Sequence, residues 1–93
     1  MTDELRERIR RAAEALRQFG AREVYLFGSA AAGTLDDYSD IDMAVAGLPP
    51  EKYFKAMGAA GDILERQLDL VDLDDENLFT SYLKRKGKLQ LVH

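Results

Sequence analysis

The sequence predicts a small α/β fold, more strictly α+β: a mixed β-sheet of three or four strands with helices packed largely against it. Two observations lead there. Apolar residues recur at three- and four-residue steps in a long opening stretch and again in two later ones, which is the helical period. Between these lie three short apolar runs, EVYLF at 23–27, DIDMAVA at 40–46 and LDLVDL at 68–73. Strands that alternate with helices call for a layered sheet, and a chain of 93 residues has room for a single core, so one domain over 1–93 is expected.

The elements follow in order. Leu5, Ile9, Ala12, Ala13, Leu16 and Phe19 form one helical stripe, with Gly20 where a C-terminal cap belongs. Residues 23–27 are a strand ended by Gly28. Ser29 is a good N-cap for a short helix through Ala30, Ala31 and Ala32, stopped by Gly33. In 40–46, Ile41, Met43 and Val45 share one face, while Asp40, Asp42 and Ala44 share the other. A turn at 47–50 leads to a helix over 51–67, with Tyr53, Phe54, Met57, Ile63 and Leu64 as its apolar positions. Residues 68–73 are a third strand. A last helix over 75–86 turns Leu78, Phe79, Tyr82 and Leu83 inward and is capped by Gly87. Lys84, Arg85, Lys86 and Lys88 gather at its C-terminal end, where cations suit the helix dipole. The final LQLVH is a short edge strand or a loose tail. Tyr25, Phe27, Tyr53, Phe54 and Phe79 read as core aromatics.

Composition narrows the function. Without cysteine there is neither a disulfide framework nor a thiolate metal site. No apolar run approaches the roughly 20 residues that span a bilayer, and with no signal peptide at the start the expected location is cytoplasmic. A net charge of −4 argues against a standing nucleic-acid surface. Arg6, Arg8, Arg10 and Arg11 are interleaved with Glu4, Glu7 and Glu14 and read as a solvated helix face.

The chemistry lies with the aspartates. Aspartate is depleted in strands, and Asp40 and Asp42 are next-but-one neighbours whose carboxylates repel unless a cation sits between them. Mg²⁺ suits such oxygen ligands, commonly one or two carboxylates plus substrate phosphates. Asp69 interrupts another apolar run on the face of Val71. If 40–46 and 68–73 lie side by side, it joins the other two, and three carboxylates can hold two cations for an in-line displacement. Asp72 falls on the opposite strand face. Gly28-Ser29 reads first as a turn with a serine cap, although a backbone turn of this kind also presents N–H groups to a phosphate. GSAAAGT at 28–34 has the glycine spacing of a P-loop but Thr34 in place of the lysine, and 36–42 does not fit an EF-hand loop. Asp36 and Asp37 belong to a loop over the site. Ser39 either orients Asp40 or is a turn serine.

Gly28-Ser29, ten residues, then Asp40-Ile41-Asp42 resembles the G-S-x10-D-x-D signature of the DNA polymerase beta-like nucleotidyltransferase superfamily. Together with LDLVDL the wording is similar to its minimal nucleotidyltransferases, the MNT type, over about 24–72. The resemblance implies a palm-like nucleotidyltransferase core that transfers AMP from ATP to a hydroxyl, with pyrophosphate leaving. Asp40 and Asp42 would bind two Mg²⁺ ions that carry the nucleoside triphosphate, Asp69 would complete the metal site and act on the attacking hydroxyl as ligand or base, and Gly28 and Ser29 would hold the β- and γ-phosphates. Minimal members pair with HEPN-domain proteins as antitoxin and toxin, so the acceptor implied is a tyrosine of a HEPN-type partner. Two other readings stand beside it: a weak or inactive core that binds a partner by contact alone, and transfer to a small hydroxylated molecule. The chain departs from the family at Ala30–Ala32, where many relatives carry an arginine; Lys84, Arg85, Lys86, Lys88 or a partner would have to replace it. Apolar positions on more than one side of the helix at 51–67 also leave room for a homodimer.

Overall fold

The computed structural model describes residues 1–36 and 38–93. In chain order the elements are α1 (Asp3–Gln18), β1 (Glu23–Phe27), α2 (Gly28–Ala32), β2 (Ile41–Ala46), a 3₁₀ turn (Pro50–Lys52), α3 (Tyr53–Leu64), β3 (Leu68–Asp72), α4 (Leu78–Lys86) and β4 (Gln90–Leu91). The sheet is mixed, in the order β3-β2-β1-β4. β1 runs antiparallel to β2 and β4, and β2 runs parallel to β3. The closing LQLVH thus supplies a two-residue edge strand.

One face of the sheet is closed by α1 and α3. Val24 and Leu26 of β1, Ile41, Met43 and Val45 of β2, and Leu68 and Leu70 of β3 meet Leu5, Ile9 and Leu16 of α1 there. α1 starts where the Thr2 hydroxyl accepts the Leu5 N–H at 3.1 Å. The other face carries Phe27, Ala44 and Leu73 under Leu83 of α4, and it is only partly covered. Asp42 and Asp69 belong to this second face by alternation along their strands.

Four expectations need correction. The helix expected over 51–67 begins with a 3₁₀ turn and ends at Leu64, because Glu65 takes a left-handed conformation (φ 55°) that turns the chain into β3. Its buried stripe is Ala56, Ala60 and Leu64, while Phe54 is 77% exposed. α3 lies against the fully buried Ala12 and Ala13 of α1, and small side chains let two helices approach where bulky ones would hold them apart. The last helix starts at Leu78 rather than 75, with Asn77 as its N-cap. Leu78 is consequently 90% exposed, and the buried positions are Thr80 and Leu83. Finally, Ser29 is not the cap of α2: the helix begins one residue earlier, with Phe27 at the cap position and no side-chain capping bond. Of the five aromatics expected in the core, only Phe27 is buried; Tyr25 and Tyr53 are half-buried and Phe79 is exposed.

Candidate functional site

The site is built where three strands end or begin on the half-covered face. In the register of the sheet Asp42 stands between Phe27 of β1 and Asp69 of β3. Parallel strands in register place side chains of paired residues on one face, so the two carboxylates are neighbours. Asp40 immediately precedes β2 and is exposed, as is Asp69; Asp42 is half-buried. The Asp42 carboxyl is held above the usual carboxylate value, first by burial, then by the charge of Asp69 and by hydrogen-bonding contact with it, and last by the charge of Asp40. A low-dielectric position beside like charges disfavours ionisation.

Gly28 completes the corner. Its φ of 64° is left-handed, and a Cβ there would run into the Asp42 carboxylate, with its Cγ only 3.2 Å away. A glycine is therefore required twice, by backbone conformation and by the space Asp42 occupies. Half-buried Ser29 follows in the first turn of α2, its carbonyl accepting the Thr34 N–H at 3.1 Å. Gly33, left-handed at φ 77°, ends α2 as expected.

The loop between α2 and β2 is tied down. The Asp36 carboxylate accepts the Tyr38 N–H at 2.8 Å and the Ser39 hydroxyl at 3.0 Å, and these bonds hold it below the ordinary carboxylate value. Ser39 is thus a turn serine, bonded to Asp36. Asp37 lies outside the described residues. Arg66 grips the same loop, its Nη1 donating to the carbonyls of Asp36 at 2.8 Å and Ser39 at 3.0 Å. Sequence reasoning missed Arg66, since its partners are backbone carbonyls of a distant segment and leave no trace in residue type. Two of the α1 arginines expected on a solvated face pair there, Arg8 with Glu4 and Arg10 with Glu7.

Two grooves open near the half-covered sheet face, and among the described residues neither is lined by Asp40, Asp42 or Asp69. One, of about 600 Å³, runs from Phe27, Gly28, Ala31 and Ala32 across to α4 and the residues after it. The other, of about 480 Å³, lies along edge strand β3 between Tyr53, Phe54, Val71 and Phe79. Phe79 borders both and meets Phe27 edge-on, with ring centroids 6.0 Å apart.

Oxygen is the donor on offer to a cation. Among the described residues no group of three or more carboxylate, imidazole or thiol side chains is assembled closely enough to enclose a metal ion. The adjacent pair fits Mg²⁺ all the same, since that ion typically takes one or two carboxylates and completes its shell with water and substrate phosphates. The raised Asp42 carboxyl points the same way: a nearby cation relieves the repulsion that disfavours its ionisation.

Comparison with known proteins comes from families and from folds. The family model described as "Polymerase beta, Nucleotidyltransferase" matches residues 11–91. No curated protein matches the chain in sequence. Among solved structures, one toxin–antitoxin determined with AMP-PNP superposes with a TM-score of 0.72 at 24% identity, covering 99% of this chain and 73% of that one. A protein described as a minimal nucleotidyltransferase gives 0.75 at 22% identity, covering 96% and 91%. A complex of tri-AMPylated Shewanella oneidensis HEPN toxin with its MNT antitoxin gives 0.68 at 21% identity, covering 96% and 71%. At these identities the likeness is one of fold. Among the described residues no helix is long and apolar enough to cross a membrane.

Proposed function

This chain belongs to the polymerase beta nucleotidyltransferase family, and from that premise we propose that it transfers AMP from ATP to a hydroxyl, the acceptor being a tyrosine of a HEPN-type partner protein that it serves as antitoxin. The observation that carries the reading is the register of Asp42 against Asp69, with Gly28 opening the space at the Asp42 carboxylate.

The adjacent Asp42 and Asp69, with Asp40 joining them from just before β2 when substrate is bound, would hold Mg²⁺, which would neutralise both the carboxylates and the triphosphate and polarise the α-phosphate. Asp42, whose ionisation is disfavoured by burial and by its neighbours, would be a ligand once a cation relieves that repulsion. Asp69, exposed beside it, accepts the proton of the attacking hydroxyl. The new bond joins that oxygen to the α-phosphorus, the bond from the α-phosphorus to the bridging oxygen breaks, and pyrophosphate leaves. Gly28 and Ser29 would meet the β- and γ-phosphates. Such chemistry needs positioning and charge neutralisation rather than a covalent group.

A protein acceptor is favoured over a small molecule by the groove along β3. It is lined by Val71, two residues from Asp69, and by the largely exposed Phe54. Exposed apolar surface beside a site suits a protein partner. The structural relatives described as toxin–antitoxin complexes support the same choice.

The test is transfer of label from ATP radioactive at the α-phosphate, in Mg²⁺, with lysate of the source cells. Wild type is expected to label one protein on tyrosine and Asp42→Asn to reduce this at least 100-fold, on the scale of losing a main electrostatic group. Label confined to small molecules would favour the small-substrate reading. No aspartate-dependent label in either fraction would favour a module that acts by binding alone.

A further inference from the structure

The groove that opens at Gly28 has an uneven distribution of charge. On the α2 side its wall is Gly28, Ala31 and Ala32, with no charged side chain. A triphosphate entering there passes Gly28, against which the Asp42 carboxylate lies, in a chain whose net charge is already −4. Lys88 stands on the opposite wall, the one cation among the described residues that line the groove. Lys84, Arg85 and Lys86, only a few positions earlier, line no part of it.

The backbone explains the difference. Gly87, left-handed at φ 61°, ends α4 and turns the chain away from the helix. The chain then pairs with β1, Leu26 opposite Gln90 and Tyr25 opposite Leu91. Just before this short ladder, Lys88 lines the same groove as Gly28, which follows the end of β1. The last turn of α4 keeps its three cations on the helix surface, whereas Lys88 lies in the segment between α4 and β4 that lines the groove. Among the described residues Lys88 forms no ion pair, and its flexible stem carries a compact charge suited to a phosphate.

We propose that Lys88 binds the triphosphate of the nucleotide, supplying from the β4 side of the groove the positive charge that α2 lacks. The proposal rests on the transferase reading and names a further substrate-binding residue for it. The phosphates beyond the α-position are its ligand, so its removal weakens a nucleoside triphosphate far more than a monophosphate. Ala32, exposed on the facing wall, is a place from which a second cation could reach the same phosphates.

The experiment measures binding of Mg·AMP-PNP and of AMP to the full chain by calorimetry. The proteins are wild type, Lys88→Gln, Lys88→Arg, Lys86→Gln and the double variant Lys88→Gln with Ala32→Arg. Loss of one charge-assisted contact corresponds to roughly tenfold in affinity. Lys88→Gln is expected to weaken Mg·AMP-PNP by about that factor and to change AMP less than twofold. Lys88→Arg and Lys86→Gln should bind as wild type, and Ala32→Arg should restore most of the loss. Equal weakening of AMP and AMP-PNP in Lys88→Gln would assign Lys88 a structural role and overturn the proposal, as would unchanged AMP-PNP binding. A wild type that binds no Mg·AMP-PNP would overturn the transferase reading itself, and the proposal with it.

Discussion

At Asp42 burial, the charge of Asp69 and the charge of Asp40 all act against ionisation. The folded protein therefore holds this proton more tightly than the unfolded chain does. Stability from Asp42 is fully present at acid pH and is lost as pH rises from the ordinary carboxylate value of 3.8 through the raised one. Asn at this position removes the titration. The difference between wild type and Asp42→Asn is thus expected to grow across that window. Above it, without divalent cation, the variant should be the more stable by up to about 1 kcal/mol, the scale of a like-charge cross-strand pair. Mg²⁺ should then raise the melting temperature of wild type and leave the variant's nearly unmoved, since only a ligand of the native site stabilises by mass action. Thermal denaturation from pH 3.5 to 7.5, with and without Mg²⁺, checks both; parallel pH curves for the two proteins would contradict the raised carboxyl.

Among the elements, α4 depends most on its first turn. The Asn77 side chain accepts the Thr80 N–H at 2.9 Å, while the Thr80 hydroxyl accepts the Asn77 N–H at 3.1 Å and donates to the Asp75 carbonyl at 2.8 Å. Thr80 is 1% exposed, so its half of this capping box is closed off from water, while Asn77 is exposed. Asn77→Ala is expected to cost about 1 kcal/mol, read as a lower urea midpoint at unchanged m-value. A change within 0.2 kcal/mol would mean that packing of Leu83 alone holds the helix, a figure below the usual range for a lost cap. The start of α4 was obscured in the sequence because Asp75 and Glu76 also suit a helical first turn. α3 was misread for a different reason: hydrophobicity singles out Phe54 and Met57, whereas the buried stripe is Ala56, Ala60 and Leu64.

Across the whole molecule, Arg66 ties the turn after α3 to the loop that delivers Asp40. Removing its guanidinium frees two carbonyls of an exposed loop and leaves the core untouched. Arg66→Ala is expected to shift stability by under about 1 kcal/mol. Its effect should appear in Mg²⁺ response, with severalfold more cation needed for the same rise in melting temperature. An unaltered Mg²⁺ titration would mean that the loop takes its shape without the arginine. The same long-range organisation puts α1 and α3 on one sheet face, so the other is left accessible to Asp42, Asp69 and both grooves.

The sequence by itself determined the order of helices and strands, the face that each strand residue takes and the family signature, since alternation and spacing are local properties. Asp40, Asp42, Asp69, Gly28 and Ser29 could be chosen on that basis. Tertiary structure alone decided that β2 and β3 lie parallel with Asp42 opposite Asp69, that Gly28 must yield space to a carboxylate, and that Lys88 rather than its three cationic neighbours faces the groove. Strand order, register and the direction in which a chain leaves a helix are settled by contacts between segments far apart in sequence, and no local pattern encodes them.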